Sequence, residues 1–431
     1  MASKSVYPPS VKPGIPKIDQ IPNGWRKTTF GDVLDIVTRS AKLQDDKDYQ
    51  LVNAKRNRGG IVPRDIKYGK DIKTKTQFYV KSGDFVISRR QIVHGACGIV
   101  PDKLDGALVS NEYTAFSAKV GISLDYLRWY SHSTHFQQTC FHSSIGVAIE
   151  KMVFRQDEWL EEEVPIPPLA EQKQITELLD TWQRAIDNIA KLVEIKQKLK
   201  KSLMQKLLTG EQRFPEFGLP AAISDLPDGW SKVKLGDVAE ILFSGVDKHC
   251  RYGERPVRLC NYLDVFNNQY IDLNLDFMMA TATDAEIEKY TLRRDDVIIT
   301  KDSETPDDIA NSATVIEDTE GVICGYHLGI LRPKQGLDGL FLGSLLMLPR
   351  IRYEFSRIAN GATRFGLTLS AIAKVPIWLP DNINEQKRIA SVFFSLNNEI
   401  KRLLNYLNQL QEQKRGLMQK LLTGKVRVKG S

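Results

Sequence analysis

The chain repeats itself, and that duplication constrains its fold more than any local signal does. Ile21-Pro22-Asn23-Gly24-Trp25 with Phe30-Gly31-Asp32-Val33 returns as Leu226-Pro227-Asp228-Gly229-Trp230 with Leu235-Gly236-Asp237-Val238. Asp84-Phe85-Val86-Ile87-Ser88-Arg89 matches Asp296-Val297-Ile298-Ile299-Thr300-Lys301, and Leu124-Asp125-Tyr126-Leu127 matches Leu337-Asp338-Gly339-Leu340. Val164-Pro165-Ile166 pairs with Val375-Pro376-Ile377, and Glu171-Gln172-Lys173 with Glu385-Gln386-Lys387. Leu203-Met204-Gln205-Lys206-Leu207-Leu208-Thr209-Gly210 recurs unchanged at 417–424. The offset drifts from 205 to 214 residues, so short insertions separate two copies of one unit.

Each copy has two parts. The first mixes short β-like runs (83–88 and 295–300) with Gly, Asn and Asp turns, which predicts a compact α+β domain with a strand-rich core. The second is a long helix. Its apolar residues alternate four and three apart at Ile175, Leu179, Trp182, Ile186, Ile189 and Val193, and again at Ile389, Phe393, Leu396, Ile400, Leu403 and Leu407. That spacing draws one apolar stripe, a coiled-coil seam. Pro168, and Asn382 or Asn384, are start signals, and Gly210 and Gly424 are stops. About 38 residues at about 1.5 Å each make a helix of about 57 Å. A lone helix cannot bury its own stripe, so the expected solution is a pseudo-twofold, antiparallel pair with one domain at each end. Lys196, Lys200 and Lys414 interrupt the seam, where they fix register or mark where other subunits pack. The expected division is an extended arm (1–20), a first domain (21–168), a helix (169–210), a linker (211–225), a second domain (226–380), a second helix (381–424) and a tail (425–431).

Two related domains on a stiff rod suit a duplex whose successive major grooves lie about 34–36 Å apart. Eleven basic residues fall between Lys55 and Arg90 against three aspartates, a distribution that matters more than the modest net charge of +7. The donors expected to contact DNA are Lys55, Arg56, Arg58, Arg89, Arg90, Gln91 and Lys151 in the first copy. In the second they are His249, Arg251, Arg255, Lys301 and Arg364, interleaved with acids such as Asp302 and Glu304, so DNA binding there rests on the repeat more than on charge. The competing reading of the basic stretch is a solvated surface.

The paired -P-D/N-G-W-…-G-D-V- openings, the D-φ-φ-I-S/T-R/K strands, the P-I-P-P-L-A-E-Q-K-Q-I lead into the first helix and both L-M-Q-K-L-L-T-G endings resemble the specificity subunit of type I restriction-modification systems. The resemblance runs from Ile21 to Gly424. It implies two target recognition domains, each reading one half of an asymmetric, interrupted double-stranded DNA site. It also implies assembly with two modification subunits that methylate adenine with S-adenosylmethionine, and with restriction subunits that use ATP and Mg. The second copy departs from the first at 376–384, where three extra residues precede the helix.

Catalysis by the chain itself finds little support. Pro8-Pro9 and Pro167-Pro168 are followed by Ser10 and Leu169, not by the aromatic residue of an adenine methyltransferase motif, and there is no phosphate-binding loop. Asp381, Glu385 and Lys387 carry nuclease-like chemistry, but a helix N-terminus favours Glu there anyway. His132, His135, Cys140 and His142 are the one ligand-like cluster; without a recognised spacing or a counterpart in the second copy they are expected to be structural, with no metal and no cofactor held by this chain. Five cysteines without a C-x-x-C pair fit a reducing cytoplasm, and neither a secretory signal nor a membrane span is expected. The alternative function is a coiled-coil scaffold whose end domains bind proteins.

Overall fold

A computed structural model describes residues 7–18, 20–222 and 225–428; the remaining parts of the expected arm, linker and tail lie outside the described residues. The chain divides into two compact units, residues 1–189 with 406–431, and residues 190–405. The division runs through both long helices, Leu169–Leu207 and Ile383–Leu422. Each unit therefore holds one mixed α+β domain, part of one helix and part of the other.

In the first unit, a four-stranded antiparallel sheet is ordered Leu34–Val37, Tyr113–Ala118, Phe85–Ser88, Cys97–Ile99. In the second unit the same order appears as Ala239–Phe243, Leu328–Pro333, Val297–Thr300, Ser312–Val315, extended by Tyr270–Ile271. The central strands, Phe85–Ser88 and Val297–Thr300, are buried on both faces, which is why their sequences run as unbroken apolar stretches rather than alternating. A further sheet flanks each core, five-stranded in the first unit and three-stranded in the second.

The repeated motifs are the joints of this architecture. The strand after each Trp pairs antiparallel with the strand that leads into the long helix: Arg26–Thr29 with Glu163–Ile166, and Trp230–Lys234 with Pro376–Pro380. The Glu-Gln at each helix start then locks the junction. Glu171 accepts from the Trp25 indole at 3.0 Å and from Arg427 Nη2 at 2.6 Å. Glu385 accepts from the Trp230 indole at 3.4 Å and from Arg213 at 2.8 and 2.7 Å. Each arginine also donates to the residue before the turn glycine, Arg427 to Asn23 O and Arg213 to Asp228 O. The neighbouring amides clamp backbone: Gln172 donates to Gly121 O and Pro167 O, and Gln386 to Gly336 O and Pro380 O. The closing glycines, Gly424 at φ +67° and Gly210 at φ +77°, turn left-handed where a Cβ would collide with the rings of Pro22 and Pro227.

The helices are antiparallel inside each unit. In the first, Ile175 and Leu179 share a core with Met418, Leu421 and Leu422, and Lys414 donates to Gln183 one turn further along. In the second, Leu207 joins Ile389 and Phe393, and Lys196 pairs with Glu399 at 2.9 Å. Ile186, Val193, Leu396 and Ile400 are buried; Trp182, Ile189, Leu403 and Leu407 are half-buried. Of the interrupting lysines, Lys200 lies 3.3 Å from Gln269 Oε1, and Lys414 Nζ sits 4.2 Å from the Trp129 ring centroid.

Candidate nucleic-acid interface

The central strand of each core delivers its last residues to one end of the domain, where a segment approaching the long helix joins it. Phe154 N donates to Arg89 O at 2.9 Å, and Leu367 N to Lys301 O at 2.8 Å. This pairing makes Lys151 and Arg364 equivalent, each three residues before the joint.

In the first unit the joint is flanked by a hairpin between Asp48–Ala54 and Ile61–Tyr68. Its tip carries Lys55 and Arg56, both exposed. Arg56 Nε donates to Gln91 Oε1 at 2.8 Å and Nη2 to Glu150 Oε2 at 2.9 Å. Exposed Arg90 pairs with Glu112, and Lys151 is exposed beside Glu150. One edge is apolar, with Ile145 and Val147 open to solvent. Two expected donors face elsewhere. Arg58 turns its guanidinium inward against Gly95, in the field of the buried Cys97 and Cys140; burial lowers its pKa, and its Nε carries no hydrogen bond. Arg89 is half-buried, also with an unbonded Nε. Arg58 thus packs under the tip rather than projecting from it.

In the second unit, His249 and Arg251 are exposed on a loop with Tyr252, and Arg251 pairs with Asp247 at 2.5 Å. Arg255 pairs with Asp284 at 3.0 Å. Lys301 is half-buried between the rings of Phe243 and Tyr326, 5.1 and 4.4 Å from their centroids, and desolvation lowers its pKa. Asp302 holds Arg364 Nη2 at 2.7 Å and His327 Nδ1 at 2.8 Å. His327, and the pairing of Asp302 with Arg364, escaped sequence reasoning, because nothing local marks a strand residue that meets a loop some sixty positions away.

Most exposed basic groups at both ends are thus held by a carboxylate in solvent. Such pairs are worth about 0–1 kcal/mol each, so they orient a guanidinium without tying it down, and a phosphate or base edge can replace the carboxylate at small cost. The four His and Cys residues of the ligand-like cluster are dispersed. His132 packs on Trp129, His135 Nδ1 meets Tyr130 OH at 2.9 Å, Cys140 lies in the core, and His142 pairs with Glu162. No group of three or more potential ligands among the described residues is arranged to hold a metal ion. No helix among them is long and apolar enough to cross a membrane.

The family model described as "Type I restriction modification DNA specificity domain" matches twice, over residues 22–200 and 227–412. The type I restriction enzyme MjaVIII specificity subunit of Methanocaldococcus jannaschii is 23% identical over 429 residues, covering 95% of each chain. A putative MjaX specificity subunit of the same organism is 22% identical, covering 96% of each. The fold is similar to that of the S subunit of a type I restriction-modification system from M. genitalium, with a TM-score of 0.57 at 15% identity, covering 97% of this chain and 100% of that one. The two matched segments are the two copies of the internal repeat, and the chain belongs to the type I restriction modification DNA specificity domain family.

Proposed function

We propose that this chain reads a bipartite, interrupted double-stranded DNA sequence, one half with each domain, and directs an adenine methyltransferase and restriction subunits to it. The observation that carries this reading is the pair of unlike polar ends on one repeated scaffold. The joint, latch and clamp recur in both copies, whereas the side chains at the ends (Arg56, Arg90, Gln91 and Lys151 against His249, Arg251, Arg255, Lys301 and Arg364) do not. One scaffold with two sets of donors suits two different half-sites. The chain is read as non-catalytic, with S-adenosylmethionine, ATP and Mg used by two modification subunits and by restriction subunits, and as acting in the cytoplasm. The long helices are the natural seat for those partners, since Ile195 and Leu199 remain exposed on the first and Leu404 on the second.

The test is a map of methylated adenines in DNA from cells that co-express the chain with its modification subunit. A new interrupted motif whose halves change separately when either domain is exchanged supports the reading. An intact complex that writes no new motif, with DNA binding indifferent to salt, favours a protein scaffold instead.

A further inference from the structure

The described part of the N-terminal arm lies on the first domain. Tyr7 meets Phe141 edge-on at 5.8 Å, Val11 is 3% exposed, and Gly14, at φ +124°, rests against Gln138. Ser10 Oγ lies 3.3 Å from Nδ1 of His94, a side chain closed off from solvent. The other ring nitrogen, Nε2, lies 3.2 Å from Glu150 Oε1, a contact without hydrogen-bond geometry. The second oxygen of Glu150 holds Arg56, which in turn holds Gln91. One imidazole therefore packs between the arm and the carboxylate that holds Arg56 and, through it, Gln91.

The same residue organises the backbone beneath them. His94 O accepts from Asn57 N at 2.8 Å, and Gly95 O from Arg58 N at 2.7 Å. Asn57 and Arg58 both sit at φ +57°, a left-handed pair at the centre of the hairpin turn that Gly59 N closes on Arg56 O at 3.2 Å. Arg56 is thus carried on a tight hairpin tip pinned to the turn that the arm covers. Among the described residues, the second unit has no such strap on its reading end. Arg364 is aimed by Asp302 and His327, while linker residue Arg213 is engaged at the helix junction.

We propose that the N-terminal arm is a positioning element for the first half-site: by seating Ser10 against His94 it fixes, through Glu150, the orientations of Arg56 and Gln91 that discriminate between bases. This rests on the DNA-reading function above. An arginine held in one fork geometry reads a base edge, whereas a freed one finds the nearest phosphate, keeping affinity and losing discrimination.

The experiment maps methylated adenines written by the full chain with its modification subunit, comparing wild type with a deletion of residues 2–12, His94→Gln and Glu150→Gln. Glu150 is 61% exposed, so its replacement leaves the fold intact. The expected result is an unchanged second half of the motif, with methylation of sites mismatched in the first half rising about tenfold, the scale of one base contact. An unaltered first half in all three variants overturns the proposal. So does loss of all methylation on deletion with both point variants unaltered, since the arm would then serve only folding. A wild-type complex that writes no bipartite motif overturns the DNA-reading function itself, and is distinguishable because it precedes any variant.

Discussion

At the scale of single residues, the two copies solve one problem with different exposure. Glu385 and Arg213 have side chains 1% and 3% exposed, whereas Glu171 is 9% exposed and its partner Arg427 is 42% exposed. Removing one member of a fully buried pair leaves an uncompensated charge, so Arg213→Ala is expected to cost about 3–5 kcal/mol. Arg427→Ala should cost clearly less, because water reaches its site; urea unfolding of the two variants gives the comparison directly. Histidine chemistry distinguishes the units further. Desolvation, with help from Arg58, Lys414 and Arg128, lowers His132 to about 3, and desolvation lowers His135 to about 4. In the unfolded chain both take up a proton near pH 6.5, so the unfolded state binds more protons below that value and folding stability drops as pH falls from about 6.5 toward 4. Paired His132→Gln and His135→Gln changes should flatten this dependence, seen as a smaller shift of the thermal midpoint between pH 7 and pH 4.5 than in wild type.

At the scale of elements, the long helices are seams with deliberate interruptions. Lys414 bonds Gln183 and lies over Trp129, yet burial lowers its pKa, which means the ammonium is held at some electrostatic cost. Lys414→Met keeps the stem and removes that cost. The expected outcome is a first unit as stable as wild type or more so by up to about 1 kcal/mol, with looser helix register as the price of losing a polar specifier. Denaturant midpoints measure the first effect, and disulfide trapping between cysteines placed along the two helices measures the second. Lys196 is the contrasting case, since it has a charge partner in Glu399. The seam pattern located the helices and their packing faces: the stripe residues are buried or half-buried, whereas Leu192, Ile195 and Leu199, outside the stripe, stay exposed on the same helix.

At the scale of the molecule, the second unit is a continuous stretch of chain and the first is not. The first borrows Met418, Leu421 and Leu422 from the far end of the sequence, whereas the second has Leu207 and Leu208 within its own span. Truncation after Asn405 should therefore unfold the first unit while leaving the second with all its core residues. Each lost apolar side chain contributes about 1.5–3 kcal/mol, and Glu171 loses its arginine as well. Limited proteolysis with mass spectrometry would report it, as rapid cleavage within residues 21–168 and protection of 226–405.

Sequence by itself determined the duplication, the two long helices with their caps and seams, the α+β class and the family, because each is written in local order or in a period that packing cannot overrule. It also singled out loops at the strand ends, since strand ends and turn residues are local signals. Tertiary structure decided which of the basic residues face outward. Arg56 and Arg58 are two positions apart, yet one is exposed and the other turned into the domain, a choice made by Gly95 and the buried cysteines that the chain brings beside Arg58 from elsewhere. It decided the carboxylate partners too, and that the Glu-Gln pairs at the helix starts lock the junctions. A side chain's direction depends on what fills the space around it, and that space is enclosed by residues distant in sequence.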